Sequence, residues 1–195
     1  MKNFNVVLFD GFETLDAFGP AEIFGKMPEE YNLKYFSIDG GIVKSSQNAQ
    51  VHTHHFSFIN EGGILLIPGG MGTRELVNDA EFIEALTTTA SEAEFVLSVC
   101  TGSALLAKTG LLNGRNATSN KKAFEWVQSV NTNVNWVKQA RWVVDGNFYT
   151  SSGISAGMDM ALGFISDKHG KKAAQELAKN IEYVWNDDKD VDPFS

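Results

Sequence analysis

One cysteine, Cys100, lies in the segment Ser98-Val99-Cys100-Thr101-Gly102, which has the small-x-nucleophile-x-Gly form of a nucleophile elbow. An elbow joins a buried strand to a helix through a turn so tight that the flanking side chains must be small. Ser98 and Gly102 meet that demand, and Ser103-Ala104 keep the next residues compact. A thiol on such a turn sits at the first turn of a helix, where unpaired N–H groups and the helix dipole favour an anion. Its pKa, ordinarily near ~8.5, is expected to fall there. Most lone cysteines are no more than small apolar packing; the elbow pattern makes this one a candidate nucleophile.

A second chemical segment is Pro68-Gly69-Gly70-Met71-Gly72. Its glycines let the backbone approach a ligand closely, and with Thr101 they are expected to aim N–H groups at a developing oxyanion. No Lys-Ser/Thr pair closes the segment, so it is not a nucleotide P-loop. A third is Thr14-Leu15-Asp16-Ala17-Phe18-Gly19-Pro20, preceded by Glu13. A carboxyl group beside a thiol would give or take a proton, with its pKa raised by burial. Spacing alone does not choose between Asp16 and Glu13. His52, His54, His55 and His169 show no spacing that supports a three-ligand metal site. A remote histidine reaching Cys100 in space stays open.

These segments need a frame to bring them together. Val6 to Phe9, Leu33 to Ile38, Ile64 to Ile67 and Glu94 to Val99 are short apolar blocks that read as strands. Ile42 to Val51 reads as a small hairpin around Gln47-Asn48, and a second hairpin, Arg141 to Ser151, turns at Asp145-Gly146. Helices are predicted over 14–26, 79–90, 101–109, 121–129, 155–168 and 171–184, with Asn78 or Asp79 capping the second and Asn120 the fourth. Short apolar strands alternating with helices imply a doubly wound α/β domain with a mostly parallel sheet, and residues 1–195 read as one domain. In such sheets ligands bind beyond the carboxyl ends of the strands. Asp10 to Asp16, Pro68 to Thr73 and Cys100 to Ser103 all lie there.

The bulk properties exclude several functions. With 16 Lys and Arg against 24 Asp and Glu, the net charge of −8 argues against a nucleic-acid surface. The pairs Lys121-Lys122 and Lys171-Lys172 read as solvated positions at helix starts, and the acidic tail from Asn186 is expected to fray. A single cysteine excludes an intramolecular disulfide. No apolar stretch is long enough for a signal-peptide core or a membrane span, so a cytoplasmic protein is expected.

The ordered motifs resemble the ThiJ/PfpI superfamily, which is class I glutamine amidotransferase-like. The resemblance runs through Val7 to Phe12, Leu15 to Pro20, Leu66 to Gly72, Ser98 to Leu112, Gly114 to Thr118 and Ser151 to Leu162. The pairing of Leu15-Asp16-x-x-Gly19-Pro20 with Cys100-Thr101-Gly102 is similar to the isocyanide hydratase branch. The resemblance implies a flavodoxin-like homodimer that needs no cofactor, with Cys100 as nucleophile and Asp16 contacting it. It puts Thr101 beside the cysteine, Gly69, Gly70 and Met71 on the oxyanion side, and Ser152-Gly153-Ile154 near the pocket. The implied reaction hydrates a small isocyanide to an N-substituted formamide; glyoxalase-like or amidase chemistry is the alternative, and a cysteine-based redox sensor or ligand-binding module the non-enzyme one. Protease-like members carry His after the cysteine where this chain has Thr101, which weakens a peptidase reading. Many relatives read Thr-Thr-His where this chain has Thr118-Ser119-Asn120. The regulator branch adds a C-terminal helix-turn-helix, and with the sequence ending at Ser195 no DNA-binding role is expected.

Overall fold

The computed structural model describes residues 1–195. In chain order the elements are β1 (Lys2–Val7), α1 (Thr14–Gly25), β2 (Tyr31–Ser37), β3 (Gly41–Lys44), β4 (Gln50–His55), β5 (Ile64–Ile67), α2 (Thr73–Leu76), α3 (Ala80–Glu92), β6 (Phe95–Val99) and α4 (Gly102–Lys108). They continue with β7 (Asn116–Ala117), α5 (Phe124–Val130), β8 (Asn135–Trp136), β9 (Trp142–Asp145), β10 (Phe148–Ser151), α6 (Ala156–His169) and α7 (Lys171–Asn180). Eight strands form one sheet in the order β3-β4-β2-β1-β5-β6-β10-β9, and β7 and β8 pair separately. The six inner strands are parallel; only the edge strands β3 and β9 run antiparallel to their neighbours. This is the flavodoxin-like α/β architecture.

The strand sequences follow from their surroundings. Every side chain of Ile64-Leu65-Leu66-Ile67 is buried, because helices cover both faces and no polar alternation is needed. On one face α1 packs against α6 and α6 against α7. There Phe24 stacks on Phe4 with centroids 4.0 Å apart, and Phe164 meets Phe95 edge-on at 5.2 Å. On the other face α4 lies on β5 and β6 and touches α2, α3 and α5. Asp79 caps α3 by accepting the Phe82 N–H at 3.0 Å, as expected.

Three local expectations need correction. In the β9–β10 hairpin Asp145 pairs with Phe148, so the turn residues are Gly146-Asn147. Gly146 takes φ 63°, the position at which a type II′ turn wants glycine. Helix α7 ends at Asn180, because Glu182 turns left-handed (φ 53°) and the Tyr183 N–H closes onto the Ala178 carbonyl at 2.8 Å. The tail does not fray: Asp192 is buried, its N–H donates to the Gln139 carbonyl at 2.7 Å, and the N–H groups of Arg141 and Trp142 donate to the Lys189 carbonyl.

Candidate active site

The three segments beyond β1, β5 and β6 converge on Cys100. It follows β6 directly and takes φ 55°, the left-handed conformation of an elbow. That backbone is unfavourable for a residue with a Cβ and is held from three sides. The Cys100 N–H donates to the Ser152 carbonyl at 3.2 Å. Its own carbonyl accepts the hydroxyls of Ser103 at 3.0 Å and Ser119 at 2.8 Å. The elbow also needs Gly102, since a Cβ there would collide with the Ile67 carbonyl oxygen.

Asp16, in the first turn of α1, is fully buried. Its Oδ2 accepts the Gly69 N–H at 3.0 Å. Its carboxyl faces the Cys100 thiol closely enough to interact with it, yet Oδ1 makes no well-directed hydrogen bond and is left orphaned. Burial, and then the charge of Glu13, raise the Asp16 pKa to about 8 against the pull of the Gly69 N–H. The Cys100 thiol is pushed up as well, first by burial and second by the Asp16 charge. The sequence reading expected the opposite direction from the helix start. Desolvation wins because the thiol is only 7% exposed and α4 is a short seven-residue helix. The N–H of Thr101 and the side chains of Asn120 and Thr101 approach the sulfur and oppose the rise. The buried pair therefore retains at least one proton at neutral pH.

The glycine loop has a different job from the one expected. The Gly69 N–H is committed to Asp16, and the Gly70 N–H donates to Thr101 Oγ1 at 3.0 Å. Thr73 donates to the same Thr101 oxygen at 3.1 Å. Gly70, at φ 131°, has no room for a Cβ beside the Phe12 and Glu13 backbone. So Gly69 and Gly70 position Asp16 and Thr101, and the N–H left facing the sulfur is that of Thr101.

Above the thiol opens a cleft of about 310 Å³, lined by Cys100, Thr101, Gly70, Met71 and Ile154 together with Glu13, Arg74, Asn120 and Lys122. Met71 and Ile154 are exposed at its mouth, whereas Ser152 is buried behind the elbow and Gly153 packs against Asn120. A neighbouring cleft of about 300 Å³, past Phe9, Asp10, Ile38 and Ile42, does not include Cys100 in its lining. No histidine lines the Cys100 cleft; His52, His54 and His55 lie in β4 and His169 pairs with Tyr31. Sequence reasoning missed Ser119, Asn120 and Arg74. Asn120 was expected to cap a helix beginning at 121, but α5 begins at Phe124 with Ala123 at its N-cap, and Asn120 accepts the Ala123 N–H at 2.9 Å in the turn before it.

Residues 2–167 match the DJ-1/PfpI family. The chain belongs to that family. Among DJ-1/PfpI relatives, the isonitrile hydratase of Pseudomonas putida is 31% identical over 180 residues, covering 91% of this chain and 77% of that protein. The transcriptional regulator CdhR of Pseudomonas aeruginosa is 26% identical over 185 residues, 92% of this chain and 54% of that protein. A ThiJ/PfpI family protein from Pseudomonas syringae superposes with a TM-score of 0.85 at 25% identity, covering 93% of this chain and 75% of that one. The DJ-1/PfpI fold thus carries both enzymes and regulators, and no helix of this chain is long and apolar enough to cross a membrane.

Proposed function

We propose that the protein is a cofactor-independent hydratase of small isocyanides, with Cys100 as nucleophile and Asp16 as its proton partner. The observation that carries this reading is the buried Asp16–Cys100 pair, in which a carboxyl with one orphaned oxygen faces the only thiol of the chain. Likeness to isonitrile hydratase supports the substrate class. A pKa near 8 keeps a proton on the pair at neutral pH, ready to be given away.

The chemistry balances on these two groups. The Cys100 sulfur forms a bond to the terminal isocyanide carbon, and the proton held by the pair passes to that carbon, giving a thioimidate and an Asp16 carboxylate. Water then adds to the same carbon while Asp16 takes its proton and passes it to the nitrogen. The resulting hydroxyl gives its proton to Asp16 as the carbonyl forms and the C–S bond breaks. An N-substituted formamide leaves, and the pair regains its proton. The Thr101 N–H steadies negative charge on sulfur as it attacks and as it leaves. The protein would act on a small molecule, as a cytoplasmic homodimer.

Turnover of a simple alkyl isocyanide, followed by formamide production, tests the assignment. Cys100→Ala is expected to abolish it and Asp16→Asn to lower kcat by about 10²–10⁴-fold, the usual contribution of a positioned acid–base group. Near-wild-type turnover by Cys100→Ala sinks the reading. Conversion of 2-oxoaldehydes or small amides in place of isocyanides would move the substrate class while keeping the same two residues.

A further inference from the structure

The cleft over Cys100 carries more positive charge than the pair at its base needs. Arg74, on α2, lies on the cleft wall within electrostatic reach of the thiol. Its guanidinium sits 3.4 Å from the centroid of the Trp126 ring, a cation–π contact, and the side chain is half-buried. It forms no ion pair with any carboxylate, and neither does Lys122 on the same wall. Glu13, the cleft's one acidic side chain, is also outside ion-pair range of both. Elsewhere, Arg115 and Arg141 are each paired with an aspartate. In a chain with net charge −8, a partly desolvated arginine left without a counter-ion at the mouth of a reactive cleft stands out.

An arginine fork presents several N–H donors in a fixed plane that matches a carboxylate. The contact with Trp126 restrains the fork before a ligand arrives, which lowers the entropy cost of binding. We infer that Arg74 selects substrates bearing a carboxylate, seated across the cleft from the electrophilic carbon that meets Cys100. Lys122, more exposed, adds attraction at the entrance. This rests on the reading of Cys100 as the nucleophile, and it narrows the substrate from any small isocyanide to an acidic one.

Because Cys100 is the only cysteine, alkylation tests the selection without requiring hydratase turnover. Iodoacetate and iodoacetamide differ by a carboxylate against a neutral amide; in both, the sulfur bonds to the CH₂ carbon and iodide leaves with the electron pair. The iodoacetate-to-iodoacetamide rate ratio, followed by intact mass, is expected to exceed that of a free small thiol in the same buffer by about tenfold, the scale of one charge-assisted hydrogen bond. Arg74→Gln should return the ratio to the free-thiol value, the ratio cancelling any change in thiol reactivity that both reagents share, and Arg74→Lys should recover part of it. An unchanged ratio in Arg74→Gln overturns the assignment, as does failure of both reagents to label Cys100. A chain that hydrates no isocyanide can still show the ratio. Isocyanide turnover with an unchanged ratio removes only the carboxylate preference.

Discussion

Two buried aspartates, both without solvent exposure, show how differently this fold treats negative charge. Asp159 on α6 is surrounded by donors. Arg141 reaches its Oδ2 through Nε at 2.9 Å and a terminal nitrogen at 2.7 Å, while Oδ1 accepts the Tyr183 hydroxyl at 3.0 Å and the Asn186 N–H at 3.1 Å. Asp16 has one N–H, from Gly69, and an orphaned oxygen beside a thiol. Burial raises both pKa values, with Arg141 as the chief counterweight at Asp159, whereas at Asp16 the counterweight is a single amide. A fully partnered carboxylate is a fastening. An under-partnered one costs stability and keeps a proton available. The first ties α6 to the C-terminal segment; the second sits where the chemistry is proposed.

The comparison breaks if the two sites respond alike to losing charge. The largest effect is expected at the fastening. Arg141→Met leaves Asp159 buried without its cation, and removing one partner of such a pair costs about 3–5 kcal/mol. Near ~2–4 °C per kcal/mol for a chain of this size, calorimetry should find the melting temperature lowered by roughly 10 °C. Arg141 also donates to Ser155 Oγ at 3.2 Å, so the loss should spread into the start of α6.

At Asp16 the sign reverses. Its folded pKa of about 8 lies above the ordinary 3.8 of an aspartate, so between those values the native state binds more protons than the unfolded one. Stability from this group is full below about pH 4 and is lost as pH rises through 8. Asp16→Asn keeps the shape, still accepts the Gly69 N–H and has no charge to bury. It should therefore be more stable than the wild type by on the order of 1–3 kcal/mol in urea unfolding at pH 8, with a smaller gain at pH 5. A variant less stable than wild type at pH 8 would show that Asp16 is a fastening too.

Much of the reactive edge could be read from the chain, because local rules govern it. A small-x-Cys-x-Gly turn after an apolar block has one geometry open to it, and Cys100 adopts it. The placement of Asp16 followed from the rule that ligand sites gather at strand carboxyl ends. The fastening was illegible because its contacts are remote in sequence. Lys121, expected on a solvated helix start, has a side chain only 7% exposed and donates to the Ala140 carbonyl at 2.7 Å and to Thr118 Oγ1 at 2.9 Å. Nothing local marks a lysine whose partners arrive from β-hairpin and tail. The thiol's pKa direction was misjudged for a related reason: the elbow pattern gives the helix start, but not how deeply the sulfur is buried.

The smallest effect belongs to the tail. Asp192 lies 3.6 Å from Arg141 and 3.8 Å from Lys121, too far for direct hydrogen bonds, and its Oδ2 has no partner. Asp192→Asn leaves Arg141 on Asp159 and Lys121 on its carbonyls, so the cost should be about 1 kcal/mol. Its pH dependence is diagnostic. Burial lowers the Lys121 pKa to about 8, with the Asp192 charge as the leading opposing influence. Without that charge the pKa falls further. Above pH 8 Lys121 is neutral in both proteins and contributes no difference; at pH 6 it must be charged, and the variant charges it at greater cost. The variant's deficit in urea unfolding should therefore be larger at pH 6 than at pH 9. An equal deficit at both would mean that Asp192 holds the tail through its backbone contacts, the 2.7 Å bond to Gln139 foremost, and that the carboxylate is incidental to the fastening.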